Sequence, residues 1–279
     1  MMANESEQEA RFAFGRNWEC FARVITEERI TASEAGLQRA LRCDNLKGMR
    51  FLDIGCGSGL SSLAALRLGA EVRAFDFDAE SVATTHRVLE RFAPTGAVFL
   101  VEQQSALDEA YMVGLGSFDV VYSWGVLHHT GGMWQGIQLA ADRVAPSGRL
   151  MLALYNDQGG ASRRWLAMKR LYVCGPKPVR WALVAAVGLW FEGRSMLIRL
   201  VRGQNPLPFT DWRKRKAERG MSVWHDLVDW VGGYPFEVAK PEEVLGFLKP
   251  RGFVLEAMST CAGGHACNEF LFVKTTTPR

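Results

Sequence analysis

Between residues 49 and 155, short apolar runs alternate with amphipathic stretches of helical periodicity. The apolar runs predict five strands, at 49–54, 71–76, 97–101, 118–123 and 149–155. The stretches between them predict helices at 60–68, 79–91, 107–115 and 132–144. Such alternation is typical of a parallel sheet with helices on both faces.

This pattern stops at both ends of the region. Residues 7–46 predict helix, with Ser33 as the cap of an amphipathic stretch. From 156 to 239 the chain has helical stretches broken by Pro and Gly, and no convincing strand. A helix and two further strands are then predicted, at 241–248, 253–258 and 269–274.

These elements predict an α/β fold with a Rossmann-like, doubly wound sheet of seven strands. A helical N-terminal segment (1–48) precedes the sheet domain, which comprises residues 49–155 and 240–279. Residues 156–239 form a helical insertion after the fifth strand, and we expect this insertion to act as a lid.

Composition narrows the class of protein. The chain has 279 residues, of which 48% are hydrophobic and 23% charged, as in an ordinary soluble globular protein. Its six cysteines show no disulfide framework, and its polar, acidic start does not look like a secretory signal. The longest apolar run, at 181–191, is shorter than the ~20 residues that span a bilayer. We therefore expect a cytoplasmic protein without a transmembrane segment.

The charge is distributed unevenly. Residues 156–220 contain fourteen Lys or Arg and four Asp or Glu, although the whole chain has a net charge of only +3. Three readings of this basic segment stay open: lid helices with solvated basic faces, contact with a membrane surface, or contact with nucleic acid.

The most informative motif follows the first predicted strand. Residues 53–59 read D-I-G-C-G-S-G, so the glycines have the spacing G-x-G-x-G. A dinucleotide fingerprint needs G-x-G-x-x-G, and its third glycine would fall at Leu60. Asp53 would repel a phosphate but suits a cationic amino group.

This motif resembles the first motif of the class I S-adenosylmethionine-dependent methyltransferases, in which an acidic residue precedes G-x-G-x-G. Their small-molecule branches, the ubiquinone-biosynthesis O-methyltransferases among them, are the most similar in pattern. The resemblance implies that the loop holds the methionine part of the cofactor, through Asp53, Gly55, Cys56, Gly57 and Gly59. Asp53 could also order the loop by accepting its N–H groups.

The resemblance assigns further cofactor contacts after the next two strands. Asp76 ends the second strand, where the family has an acidic residue that binds the ribose hydroxyls, and Phe77 would lie against the adenine. Ser105 and Ala106 follow the third strand at the adenine position, although the family usually has an acidic residue near Ser105. Asp76 and Ser105 could instead cap the following helices, but Asp78 is the better cap for the first of these.

The segment after the fourth strand resembles the family segment that borders both the methionine part and the methyl acceptor. Ser123 and Trp124 are its cofactor candidates. His128 and His129 follow, and either could act as a base near neutral pH. A purely positional role for both histidines is the alternative.

The insertion contains a second group of candidates within 224–237. Its density of polar and aromatic residues suggests the acceptor pocket, with a polar surface loop as the alternative. We expect His225 and Asp229 to act in catalysis, and Trp224, Tyr234 and the N-terminal Trp18 to bind the acceptor. Cys261, His265 and Cys267 are too few and too irregular for a zinc site, so we expect no metal.

The predicted function is transfer of a methyl group from S-adenosylmethionine to a small-molecule acceptor, with S-adenosylhomocysteine as the other product. Direct displacement at the sulfonium methyl is the expected mechanism, and an oxygen nucleophile is favoured over N, C or S. The acceptor could be anionic or lipid-like, and we do not expect nucleic acid as a partner. The alternatives are an RNA or protein methyltransferase that uses the basic insertion, and a non-catalytic cofactor-binding module.

Overall fold

The computed structural model describes residues 25–205, 207, 223–262 and 266–276. Within 223–232 it describes the side chains of 227, 228 and 230–232 only.

A seven-stranded sheet forms the centre of the fold. Its strand order is β3-β2-β1-β4-β5-β7-β6, and the first five strands are parallel neighbours. β7 runs antiparallel to both β5 and β6. The strands are β1 (Arg50–Ile54), β2 (Glu71–Asp76), β3 (Phe99–Gln103), β4 (Phe118–Trp124), β5 (Val144–Tyr155), β6 (Phe253–Ser259) and β7 (Cys267–Lys274).

Helices connect the parallel strands, which confirms the predicted doubly wound α/β class. They are α2 (Leu60–Arg67), α3 (Ala79–Phe92), α4 (Glu109–Gly114) and α5 (Met133–Asp142), and α9 (Pro241–Leu248) precedes β6. Apolar side chains alternate between the two faces of the sheet, because successive strand residues point in opposite directions. Leu52 and Leu152 belong to one buried cluster, and Phe51 and Met151 belong to the other.

The N-terminal helix α1 (Glu27–Leu41) begins earlier than its predicted cap. Thr26 is the N-cap, and its hydroxyl accepts a hydrogen bond from the Arg29 N–H at 3.4 Å. Glu27 and Glu28 in the first turn complement the positive end of the helix dipole. Ser33 lies inside the helix, so its assignment as the cap was wrong.

The described residues divide into two compact units. One consists of the sheet with its helices, residues 25–158 and 237–276. The other is the inserted unit, within residues 159–236, which contains helices α6 (Gly160–Cys174), α7 (Lys177–Val201) and α8 (Val223–Gly232). The prediction of a helical insertion after the fifth strand is confirmed.

The apolar run at 181–191 is short, and for that reason we expected no membrane span. Helix α7, which contains this run, is longer. In the part of the chain that the structure describes, it is the one helix long and apolar enough to cross a bilayer by length and composition.

Candidate functional site

The glycine loop between β1 and α2 has a backbone that demands glycine. Gly55, Gly57 and Gly59 have φ angles of 80°, 53° and 77°, in the left-handed region that favours glycine. A Cβ atom at Gly55 would lie 2.4 Å from Cγ1 of Val126, so this position has no room for a side chain. As predicted, helix α2 begins at Leu60, with Gly59 as its N-cap.

Asp76 at the end of β2 holds this loop in place. Its Oδ2 accepts a hydrogen bond from the Gly57 N–H at 3.0 Å, and its Oδ1 accepts one from the Asp78 N–H at 2.9 Å. Asp78 is the N-cap of α3, as expected, and accepts from the Glu80 and Ser81 N–H groups. Burial raises the pKa of Asp76 above its usual value. A carboxylate offers about four lone-pair positions, so Asp76 can still accept bonds from a ligand.

Asp53 lies deeper, on β1. Its Oδ2 accepts a hydrogen bond from the Ser62 hydroxyl at 2.6 Å, which links the strand to α2. The loop N–H of Gly55 bonds instead to the Phe75 carbonyl oxygen at 2.8 Å. Burial, together with the nearby charge of Asp76, raises the pKa of Asp53 to about 7. The carboxylate that orders the glycine loop is thus Asp76, where we had considered Asp53 for that role.

The predicted adenine side of the site follows β2 and β3. Phe77 is 57% exposed, and its ring is therefore accessible to a ligand. Ser105 accepts a hydrogen bond from the Leu107 N–H at 3.1 Å, which orders the turn, whereas Asp108 caps α4. The alternative of Ser105 as a helix cap was therefore wrong. Ala106 is buried beside it.

The end of β4 approaches the same loop. Ser123 is buried, and its hydroxyl donates to the Ile54 carbonyl oxygen at 3.3 Å. Trp124 is half-exposed, and its Nε1–H donates to Oε1 of Glu269 on β7 at 3.0 Å. Cys56 is buried in the loop, where the Thr85 hydroxyl lies 3.3 Å from its Sγ.

A cavity of about 410 Å³ lies on the α1 and α2 side of β4. This volume is within the ~300–1,000 Å³ that is usual for small-molecule pockets. Its lining is largely polar and comes from α1, the start of α2, β4 and β7. The lining residues are Ser33, Gly36, Leu37, Arg39, Ala40, Ser61, Tyr122, Trp124 and Glu269. Only Trp124 among these was a predicted site residue.

The predicted histidine bases lie after β4. His128 is fully buried, with its ring centroid 3.9 Å from that of Tyr155 at the end of β5 and 4.4 Å from that of His129. Its Nδ1 lies 3.4 Å from the Tyr155 backbone N–H, a geometry in which the nitrogen accepts the bond. The structure therefore brings both histidines to the carboxyl ends of neighbouring strands.

Glu237 has a structural role that the sequence did not reveal. Its carboxylate oxygens accept hydrogen bonds from the Met133 N–H at 3.2 and 3.0 Å, at the start of α5. Gly132, the N-cap of this helix, has no side chain for the purpose. Burial raises the pKa of Glu237.

Several predicted residues have no described side chain. Trp18 and His265 lie outside the described residues, and so do the side chains of Trp224, His225 and Asp229. Tyr234 is described and is partly buried in the inserted unit. The roles assigned to these residues therefore stay predictions. Among the described residues no group of three or more His, Cys, Asp or Glu side chains could hold a metal ion.

Comparison with known proteins identifies the domain. A family described as "Methyltransferase domain" matches residues 52–150. Ubiquinone biosynthesis O-methyltransferase from Sinorhizobium fredii is 32% identical over 111 residues, covering 40% of this chain and 43% of that protein. The protein of the same name from Xanthomonas campestris is 36% identical over 111 residues, covering 40% and 45%. The chain thus matches less than half the length of these curated relatives.

Solved structures share the fold at low sequence identity. N-methyltransferase NodS from Bradyrhizobium japonicum, in complex with S-adenosylhomocysteine, has a TM-score of 0.51 and 13% identity, and the match covers 94% of this chain and 99% of that one. An O-methyltransferase family protein from Burkholderia thailandensis has a TM-score of 0.53 and 12% identity, covering 90% and 58%. Residues 52–150 thus match a methyltransferase domain, and the fold is one that solved methyltransferase structures share.

Proposed function

We propose that this protein transfers a methyl group from S-adenosylmethionine to a small-molecule acceptor. The observation that carries the proposal is the glycine loop held by Asp76. The positive φ angles of Gly55, Gly57 and Gly59, and the lack of side chains there, let a ligand approach the backbone closely. Asp76 lies at the end of β2, at the carboxyl edge where ligands bind in doubly wound sheets.

The side chains around the loop fit the parts of this cofactor. We assign Asp76 to the ribose hydroxyls, as a hydrogen-bond acceptor, and Phe77 to the adenine; the position of Asp76 at the end of β2 and the exposed Phe77 ring support this. The bound cofactor would supply a methyl group that is already activated by the positive sulfonium. Because the electrophile needs no further activation, the protein mainly has to align the acceptor and exclude water.

We place the acceptor in the cavity beside Trp124. The cavity borders both the start of α2, through Ser61, and the end of β4. Glu269 and the hydroxyl of Ser33 supply hydrogen-bond acceptors to its wall, which supports an acceptor with a hydroxyl or amino group. Oxygen is our preferred nucleophile. His128 and His129 are not among the lining residues of this cavity, so catalysis by them, like catalysis by His225 or Asp229, stays a separate prediction.

Calorimetry tests the cofactor assignment. We expect S-adenosylmethionine and S-adenosylhomocysteine to bind the chain, and NAD to bind poorly. Asp76→Ala should lose about 1.5–3 kcal/mol of binding free energy, roughly 10–100-fold in Kd, because hydrogen bonds to a charged group are costly to remove.

Asp78→Ala is the matched control. It removes the cap of α3 next to the site, so it should lower stability by about 1 kcal/mol while leaving cofactor affinity close to that of the unaltered protein. Tight NAD binding without binding of S-adenosylhomocysteine would refute the proposal. Cofactor binding without turnover over a broad acceptor panel would favour a non-catalytic module.

A further inference from the structure

Helix α7 of the inserted unit has one face that packs inside the unit. The Phe191 ring stacks on Trp165 of α6, with centroids 6.3 Å apart. A Cβ atom at Gly188 would lie 2.8 Å from Leu227 of α8. The residues on this face recur every three or four positions and are buried or partly buried: Val184, Gly188, Phe191, Ser195 and Arg199.

The opposite face is exposed along the same length and contains no charged or polar side chain. Its members again recur every three or four positions, as one side of a helix does: Ala182, Ala186, Leu189, Gly193, Leu197 and Leu200. Leu189 is 76% exposed and Leu197 is 61% exposed, and Trp190 at the border is 54% exposed. A contiguous exposed apolar surface of this kind marks an interaction site.

Basic residues accompany this apolar face. Residues 159–205 contain nine Lys or Arg and a single acidic residue, Glu192. Arg194 is exposed on α7, Arg202 is exposed directly after its end, and α6 exposes Arg163 and Arg170. An apolar helix face accompanied by cations is the combination that binds the surface of a membrane with anionic lipids, since it supplies both hydrophobic burial and electrostatic attraction.

We propose that the exposed face of α7 docks the inserted unit onto an anionic lipid surface, with the helix lying in the plane of the interface. A bilayer-spanning helix is a poorer fit, because the other face of α7 is occupied by α6 and α8. That face also holds Arg199, whose guanidinium donates to the Leu207 carbonyl oxygen and the Ser195 hydroxyl at 2.9 and 3.0 Å. Glu192 and Arg194 lie nearer the middle of α7, where charged side chains in a bilayer would be costly. This surface does not depend on the proposed methyl transfer.

Vesicle flotation with the full chain tests the docking surface. We expect the protein to float with vesicles of equal parts phosphatidylglycerol and phosphatidylcholine, and much less with phosphatidylcholine alone. Binding should weaken at high salt, because salt shortens the range of the electrostatic attraction between the basic residues and the anionic lipids to a few ångströms. Arg194→Glu combined with Arg202→Glu should reduce both the binding and its dependence on salt.

The apolar contribution has its own variant and control. Leu189→Glu combined with Leu197→Glu should lower the partition coefficient at least about tenfold, because both side chains would have to enter the lipid boundary. Val113→Glu is the control: Val113 is a 58% exposed apolar residue on α4, and its substitution should leave vesicle binding unchanged. Brominated lipids should quench the fluorescence of Trp190 by contact. The contribution of Trp190 is the difference in quenching between the unaltered protein and Trp190→Phe.

Three outcomes would overturn the proposal. One is equal binding by the unaltered protein and the Leu189→Glu/Leu197→Glu variant. The second is resistance of the bound protein to alkaline carbonate, which indicates a spanning helix. The third is absence of vesicle binding together with self-association that the same variant abolishes in analytical ultracentrifugation, since the face would then cover a second copy of the chain.

Discussion

At the scale of single residues, Gly55 is required for two separable reasons. Its φ of 80° is unfavourable for a residue with a Cβ, and that Cβ would lie 2.4 Å from Val126. Gly96 has the same φ of 80°, but a Cβ there would meet nothing within 4 Å. Substitutions at Gly96 and Gly55 therefore measure two effects separately: backbone strain alone at Gly96, and strain plus the lack of space for a side chain at Gly55.

We expect Gly96→Ala to lower the free energy of unfolding by about 1–2 kcal/mol, the cost of a left-handed conformation with a side chain. Gly55→Ala should lose about 1–3 kcal/mol more, because an added methyl group in a packed place forces its neighbours to move. Urea unfolding of the two variants measures the difference. Equal losses of unfolding free energy in the two variants would show that the Val126 side chain can move aside without destabilising the protein.

Asp53 predicts a pH dependence of stability. Its native pKa of about 7 lies above the usual value of 3.8, so between these values the native state holds a proton that the unfolded state has lost. Its contribution to stability therefore falls as the pH rises from about 4 to about 7. Asp53→Asn cannot titrate and keeps an oxygen for the Ser62 hydroxyl.

We expect Asp53→Asn to gain stability relative to the unaltered protein across that pH window, by an amount on the order of a few kcal/mol. Urea unfolding without cofactor at a series of pH values provides the comparison. A constant difference between the two proteins from pH 4 to pH 8 would mean that Asp53 does not hold a proton in the native state.

The residues that the sequence predicted are those with a local signature. Asp53 and Asp76 could be found because each stands at a fixed place beside a glycine loop or a strand end. Glu237 and Glu269 could not, since they act on partners 104 and 145 residues away, Met133 and Trp124. Such pairings are determined by tertiary packing, which spacing along the chain does not show.

At the scale of elements, α5 depends on a cap from a distant part of the chain. Its Gly132 N-cap offers no side chain, and the Glu237 carboxylate takes the Met133 N–H instead. We expect Glu237→Ala to cost about 1–2 kcal/mol of stability, and Glu237→Gln less, because an amide oxygen can still accept the bond.

Glu242→Ala is the control for this cap. Glu242 is exposed in the first turn of α9, so its removal should cost no more than about 0.5 kcal/mol. Urea denaturation of the three variants gives the ranking. A loss at Glu242 that equals the loss at Glu237 would show that general charge effects, and not the cap, stabilise this region.

The boundaries of elements were predicted less well than their order. The third strand was expected at 97–101 but is β3, Phe99–Gln103, because its pairing with β2 carries it on to Gln103 opposite Asp76. The polar Glu102 fits this edge strand since it pairs with Arg73 at 2.7 Å. The fifth strand was expected at 149–155, whereas β5 begins at Val144, and its register with β4 is irregular near that start.

At the scale of the whole molecule, the chain enters and leaves the inserted unit at one place. The Ala239 N–H donates to the Tyr155 carbonyl oxygen at 3.0 Å, and the Asp157 N–H donates to the Ala239 carbonyl oxygen at 3.2 Å. Asn156 and Ala239 form a parallel bridge, so the two chain segments are neighbours ~5 Å apart. The sequence pattern predicted an insertion at this point of the chain. That the first and last residues of the insertion lie close together is a consequence of the bridge between Asn156 and Ala239.

This closeness allows the inserted unit to be removed without breaking the sheet. We expect a variant in which a short Gly/Ser linker replaces residues 159–236 to fold, because the linker has only a short distance to span and costs little closure entropy. Its affinity for S-adenosylhomocysteine should stay near that of the full chain, since the glycine loop, Asp53 and Asp76 all belong to the remaining unit. Turnover should be lost, because the sequence assigned His225 and Asp229 to catalysis and both lie within the deleted residues. Calorimetry measures the affinity, and Asp76→Ala in the shortened chain should weaken binding as it does in the full chain, which shows that the same site is used. Loss of cofactor binding by a shortened chain that still unfolds cooperatively would contradict this division of roles.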